Sequence, residues 1–136
     1  MSFIAAALWF ATAVVGTYML SRTISGSRNA TGATVTDLPV MISFLHPALA
    51  LGGLAVFGGY VLTGEASFVW IAFADLLLVS VLGELLFAKW LKGRRPSSSP
   101  VRRFPAEQTI PVEIVGLHGL LAVATIVLVF VIALQA

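Results

Sequence analysis

Residues 38–91 read LPVMISFLHPALALGGLAVFGGYVLTGEASFVWIAFADLLLVSVLGELLFAKWL, two apolar runs parted by Gly64, Glu65, Ala66 and Ser67. Each run is long enough for a helix to cross about 30 Å of hydrocarbon at about 1.5 Å per residue. A connection this short makes the two spans antiparallel neighbours. Working outward, residues 2–21 and 110–133 supply two more runs of the same kind. Inside lipid every backbone polar group must bond within its own segment, so the expected fold is all-α. The pattern predicts one integral membrane domain over 1–136, a transmembrane up-down-up-down four-helix bundle with spans near 2–21, 38–63, 67–91 and 110–133.

Composition agrees, because a chain of 136 residues that is 59% hydrophobic and 10% charged cannot hide its apolar side chains in one soluble core. Arg22, Arg28, Lys89, Lys92, Arg94, Arg95, Arg102 and Arg103 all fall in or beside the connections after the first and third spans. Those connections, 22–37 and 92–109, are therefore expected on the cytoplasmic side of a bacterial inner membrane, with both termini outside. The bases sit beside apolar spans, so anionic headgroups account for them and nucleic acid is not expected. With no Cys in the chain, thiolate metal sites and cysteine nucleophiles are excluded. The first run lacks a basic leader region and a small-residue cleavage site, which reads as a retained span.

Punctuation sets the expected boundaries. Asp37 is a candidate N-cap with Pro39 in the first turn of the second span, and Gly64 and Gly93 are stop signals. Residues 22–36 read as a mobile polar loop and 93–108, with three Pro and four Arg, as an extended linker. Trp70 and Trp90 are placed as an aromatic belt. No internal repeat is evident.

Ionisable groups inside hydrocarbon are costly and are functional candidates by default. His46 lies eight residues into the second span and His118 eight into the fourth, so both are expected roughly 12 Å below the cytoplasmic boundary, on diagonal helices that face one another. Ala50, Gly53 and Phe57 follow His46 at helical spacing, and Ala122 and Thr125 follow His118, which leaves room for a flat ligand. That arrangement suits a b-type haem with axial bonds from His46 and His118, propionates toward the arginines and a ring packed by Phe44, Phe57 and Phe87. Two other readings stand beside it. Each His can be polar glue between helices, His46 bonding the Ser43 carbonyl freed by Pro47, or both can join Glu84 as ligands of a non-haem metal such as Zn²⁺. Asp75 is the most deeply placed acid. Nine residues separate it from Glu84, so the two lie on opposite helix faces and one is expected to meet a neighbouring subunit, a cavity or a cofactor.

The segment around Pro111, Val112, His118, Gly119, Leu120, Leu121, Ala122 and Thr125, together with HPALALGGLAVFGGYVLTG around His46, resembles small four-span bacterial membrane proteins, chiefly actinobacterial, that have no assigned activity. The resemblance covers about the last two thirds of the chain and implies a four-helix fold with noteworthy histidines. The combined expectation is a small integral membrane subunit of a larger assembly, respiratory or electron-transferring, in contact with lipid and with other subunits or copies of itself. The alternatives are a cofactor-free structural or assembly subunit and, less favoured for want of inverted repeats and broken helices, an ion or solute transporter. No autonomous catalytic motif is present.

Overall fold

A computed structural model describes residues 1–29, 38–94 and 106–136. It contains α1 (Ser2–Asn29), α2 (Val40–Thr63), α3 (Ala66–Gly93), a short 3₁₀ turn (Ala106–Thr109) and α4 (Val112–Ala133). All four α-helices are long and apolar enough to cross a membrane.

The boundaries follow from local chemistry. Pro39 and Pro111 sit in extended conformation immediately before α2 and α4, where a residue without an N–H leaves no helical bond unmade. Gly64 closes α2 in the left-handed region (φ 74°), its N–H on the Tyr60 carbonyl, a conformation that costs any residue with a Cβ about 1–2 kcal/mol. Two expectations are corrected. The polar segment from Arg22 is not loop at its start, because α1 runs on to Asn29 and carries Arg22 and Arg28 as helical residues. The linker is not extended at its end, because Ala106–Thr109 coil into one turn packed on α1, with Gln108 Nε2 donating to the Gly93 carbonyl. The proposed Asp37 cap lies outside the described residues.

Neighbour relations give the ring order α1, α2, α3, α4. The closest packing is α2 on α3 and α1 on α4, the seams α1/α2 and α3/α4 are thinner, and among the described residues the diagonal pairs α1/α3 and α2/α4 meet only through side chains, with no close backbone approach. Outward-facing side chains are large and bare, as at Leu62 (88% exposed), Phe3 (79%) and Leu120 (69%), a surface compatible with lipid.

The dense core occupies one end. Ala5 and Trp9 of α1, Phe57 of α2, Val69, Ala72 and Leu76 of α3, and Val129, Ile132 and Ala133 of α4 form its buried cluster. Trp9 spans it, donating its indole N–H to the Ala50 carbonyl at 3.0 Å and tilting against Phe57 at 6.0 Å. Trp90 does not act as a lipid-facing belt residue: it is buried, stacks on Phe87 and lies under the Arg94 guanidinium at 4.9 Å. Trp70, 44% exposed, keeps the outward position expected of it.

Gly53 shows how tight the core is. A Cβ there would stand 2.0 Å from Asp75 Oδ2 and 2.9 Å from Trp9, whereas one at Gly52 would meet nothing within 4 Å. Gly53→Ala is therefore expected to destabilise the folded protein by about 1–3 kcal/mol through overpacking, and Gly52→Ala to leave stability unchanged or slightly raised. Thermal unfolding of the two variants in the same detergent checks the contrast.

Candidate functional site

The two histidines are brought together. Their ring centroids lie 6.2 Å apart with planes at 64°, and they come from helices that otherwise do not touch. Each ring is anchored to a third or fourth helix: His46 Nδ1 bonds the Val79 carbonyl of α3 at 2.9 Å, and His118 Nδ1 bonds the Thr12 carbonyl of α1 at 3.1 Å. A backbone carbonyl can only accept, so Nδ1 carries the hydrogen in both rings. The second nitrogen, Nε2, has no hydrogen-bond partner in either ring among the described residues. Nor is either Nε2 sealed in, since Asp75 Oδ2 is the one buried side-chain atom left without a partner among those residues.

A glycine makes each anchor possible. In an α-helix the carbonyl of residue i accepts from the N–H of residue i+4, and the side chain of that later residue leans back over it. The residues four beyond Thr12 and Val79 are Gly16 and Gly83. A Cβ on Gly16 would stand 3.0 Å from His118 Cε1, and one on Gly83 3.1 Å from His46 Cε1. Each imidazole thus lies over a bare patch of the opposing helix and uses the second lone pair of a carbonyl already bonded in the helix.

The result is a two-fold arrangement: His46 with Val79 and Gly83 joins α2 to α3 as His118 with Thr12 and Gly16 joins α4 to α1. No repeat is visible in the sequence because the correspondence consists of one His and one Gly per half. The Thr12 and Thr125 hydroxyls stand 3.4 Å apart across the helices, each also within reach of a carbonyl of its own helix (Leu8 and Leu121), so when one donates across, the other donates back.

Packing around the ring pair is thin. In this half of the bundle the buried apolar side chains among the described residues are Val79, Trp90 and Ile110, none of them part of the dense core. An open groove of about 330 Å³ lies in the α3/α4 seam, lined by Phe87, Trp90, Leu91, Arg94, Val112, Val115 and Gly116. Phe87 is one turn beyond Gly83 and Gly116 two residues before His118, so the groove adjoins the histidine level.

Several expected contacts differ. Ala50 and Gly53 do not make room beside His46, since the Ala50 carbonyl takes the Trp9 indole and the hollow at Gly53 holds Asp75 and Trp9. Of the three phenylalanines expected around a flat ligand, Phe44 is 53% exposed, Phe57 belongs to the dense core and Phe87 alone lines the groove. His46 does not turn back to Ser43, its Nδ1 being committed to α3. Glu84 is exposed, and no group of three His, Cys, Asp or Glu that could hold a metal comes together among the described residues. Asp75 instead lies inward against Gly53, so the two acids do occupy different faces of α3.

No family model matches this chain, and no curated protein or solved structure does either.

The anchors make a direct spectroscopic prediction. In ligand-free protein, ¹⁵N spectra of the two imidazoles are expected to show the hydrogen on Nδ1 in both. Gly16→Ala and Gly83→Ala are each expected to perturb the ring whose seat they fill, His118 and His46 respectively, and to lower stability by about 1 kcal/mol or more as that hydrogen bond stretches. A Gly119→Ala control, in open space, is expected to leave both rings unchanged.

Proposed function

We propose that this chain is an integral membrane subunit that holds one b-type haem between His46 and His118 and carries electrons within a larger, respiratory-type membrane assembly. The observation that carries the reading is the pair of imidazoles with Nδ1 fixed, Nε2 free and centroids 6.2 Å apart. A transition metal binds an imidazole nitrogen at about 2.0–2.1 Å, and the ring centre lies about 1 Å further back, so two rings on opposite sides of one ion stand roughly 6 Å apart. Hydrogen-bonded Nδ1 with metal on Nε2 is the usual arrangement of a ligating imidazole, the carbonyl fixing ring orientation and raising basicity.

The fit extends to the surroundings. His46 and His118 would hold the group between the α2/α3 and α1/α4 pairs, where the seams are thin and few apolar side chains are buried among the described residues. Arg94, in the groove at the α3/α4 seam, supplies a positive charge for a propionate. Bound there, the haem would supply a one-electron couple. The chain's own contribution is to orient two strong-field ligands through the Val79 and Thr12 carbonyls.

The reading includes an up-down-up-down bundle in a bacterial inner membrane, with both termini outside and 22–37 and 92–109 cytoplasmic. The dense core supports the up-down order, because it gathers the start of α1, the end of α2, the start of α3 and the end of α4 at one level. The distribution of bases supports the sidedness. Lipid and neighbouring subunits or copies of this chain are its partners.

One observation favours a second reading. The bonds from His46 to α3 and from His118 to α1 are complete as helix-to-helix glue, which is what a cofactor-free assembly subunit would need.

Absorption spectra decide between them. Intact protein purified in mild detergent is expected to show a Soret band and, on reduction, a sharp α band at one haem per chain. His46→Ala and His118→Ala are each expected to lose both. With the imidazole planes 64° apart, the two iron d orbitals that overlap them lie close in energy, so the oxidised centre is expected to give the strongly anisotropic low-spin electron paramagnetic resonance signal, not the rhombic one of parallel rings. Haem-free intact protein, with both variants losing a co-purified partner, establishes the structural reading in its place.

A further inference from the structure

Asp75 is the chemical anomaly of the membrane interior. Its Oδ2 is buried without a hydrogen-bond partner, pressed into the hollow that Gly53 leaves beside Trp9. It lies one turn, about 6 Å along the helix axis, before Val79, whose carbonyl holds His46. Among the described residues no opposite charge is in contact with it. From α1 the facing groups are Trp9 and, a turn on, Thr12, and from α2 they are Gly53 and Phe57; none is ionised. The titratable groups of the packed helices lie elsewhere along the axis: Tyr18, Arg22 and Arg28 on α1, Tyr60 on α2, Glu65 and Arg94 at the two ends of α3 and Glu113 on α4, with His46 and His118 in the site itself. On α3, Glu84 is on another face and Lys89 and Lys92 are at the far end, where the 3₁₀ turn bearing Glu107 also meets the helix.

We infer that Asp75 is the proton-binding group coupled to the iron between His46 and His118, taking up one proton from the aqueous phase as the iron accepts one electron. The inference rests on the haem reading. An oxidised bis-imidazole haem core carries one positive charge and a reduced one carries none, so in this low-dielectric slice a haem held by His46, one turn along from Asp75, would supply a charge able to balance its carboxylate. The electron comes from a redox partner in the membrane, or from dithionite in the test. Charge balances, because Asp75 passes from carboxylate to carboxylic acid as iron(III) becomes iron(II). Linkage is reciprocal, so protonation of Asp75 favours the reduced iron to the extent that reduction favours the proton.

The test is a spectroelectrochemical titration of intact, detergent-purified protein at a series of pH values. The wild-type midpoint is expected to fall as pH rises, by up to about 59 mV for each tenfold change in proton activity. Asp75→Asn is expected to keep the Soret band and lose the slope, and Asp75→Glu to keep it. A pH-independent wild-type midpoint, or an unchanged slope in Asp75→Asn, overturns the inference. Should Asp75→Asn not fold, wild-type protein modified at Asp75 with a hydrophobic carbodiimide, the position verified by peptide mass, takes its place under the same criteria. A missing Soret band removes the haem reading and this inference together. A flat midpoint with an intact Soret band removes the inference alone.

Discussion

An imidazole N–H placed in hydrocarbon must find an acceptor, and in a helical membrane protein almost every acceptor is a carbonyl already engaged in its own helix. This chain meets that constraint twice in the same way. A carbonyl has a second lone pair, but the side chain four residues later normally covers it. Placing Gly16 after Thr12 and Gly83 after Val79 uncovers it, and the imidazole of a crossing helix fills the opening. Helix pairing, ring orientation, tautomer and the freedom of Nε2 all follow from that one exchange of a side chain for a hydrogen bond.

The same exchange divides the bundle into two regimes. Toward the α2–α3 turn the helices are held by volume: Trp9, Phe57, Val69 and Val129 are almost fully buried, and even a methyl group at Gly53 would collide. Toward the basic end they are held by the two imidazole anchors, with few buried apolar side chains around them. Tight packing at one level makes thin packing at another tolerable, because the dense end alone can fix the helices in position. A ligand between the pairs would then complete the loose level without any need to displace the core. Asp75 stands where the regimes meet, its carboxyl against the core side of Gly53 and its helix one turn from the anchor of His46.

Much of this was legible in the sequence. Four apolar runs gave the four spans, Gly64 marked its turn, and equal depth put His46 and His118 at one level on facing helices. The nine-residue spacing of Asp75 and Glu84 placed them on different faces. What could not be read were the partners. Gly16 and Gly83 look like any other membrane-helix glycine, and their importance comes from which imidazole crosses over them, a relation set by packing between segments up to 106 positions apart. Gly53 misled for the same reason: its periodicity with His46 is real, but the space it opens is filled from α1 and α3. Trp9 carried no signal because a midspan Trp resembles any other apolar residue until its indole N–H needs a carbonyl. The helical extension to Asn29 was missed because polar residues 22–29 score as loop although a helix already nucleated in lipid can continue through them at little cost.

The two-fold character of the site narrows what could occupy it. Each face is offered the same set: one free Nε2, one ring held by a carbonyl, one glycine behind it. A bare divalent ion that prefers four ligands would find two imidazole nitrogens here and no third His, Cys, Asp or Glu beside them among the described residues. A ligand that would ask the protein for two nitrogens and no more, with His46 and His118 holding it, suits the number of donors provided. Helix glue explains the Nδ1 bonds equally well, but it gives no reason for the two rings to approach each other, since each anchor would serve with its imidazole on any level of its seam. The approach of the two rings to 6.2 Å at one level, in the less filled part of the bundle, is the feature that adhesion between helices leaves without a reason.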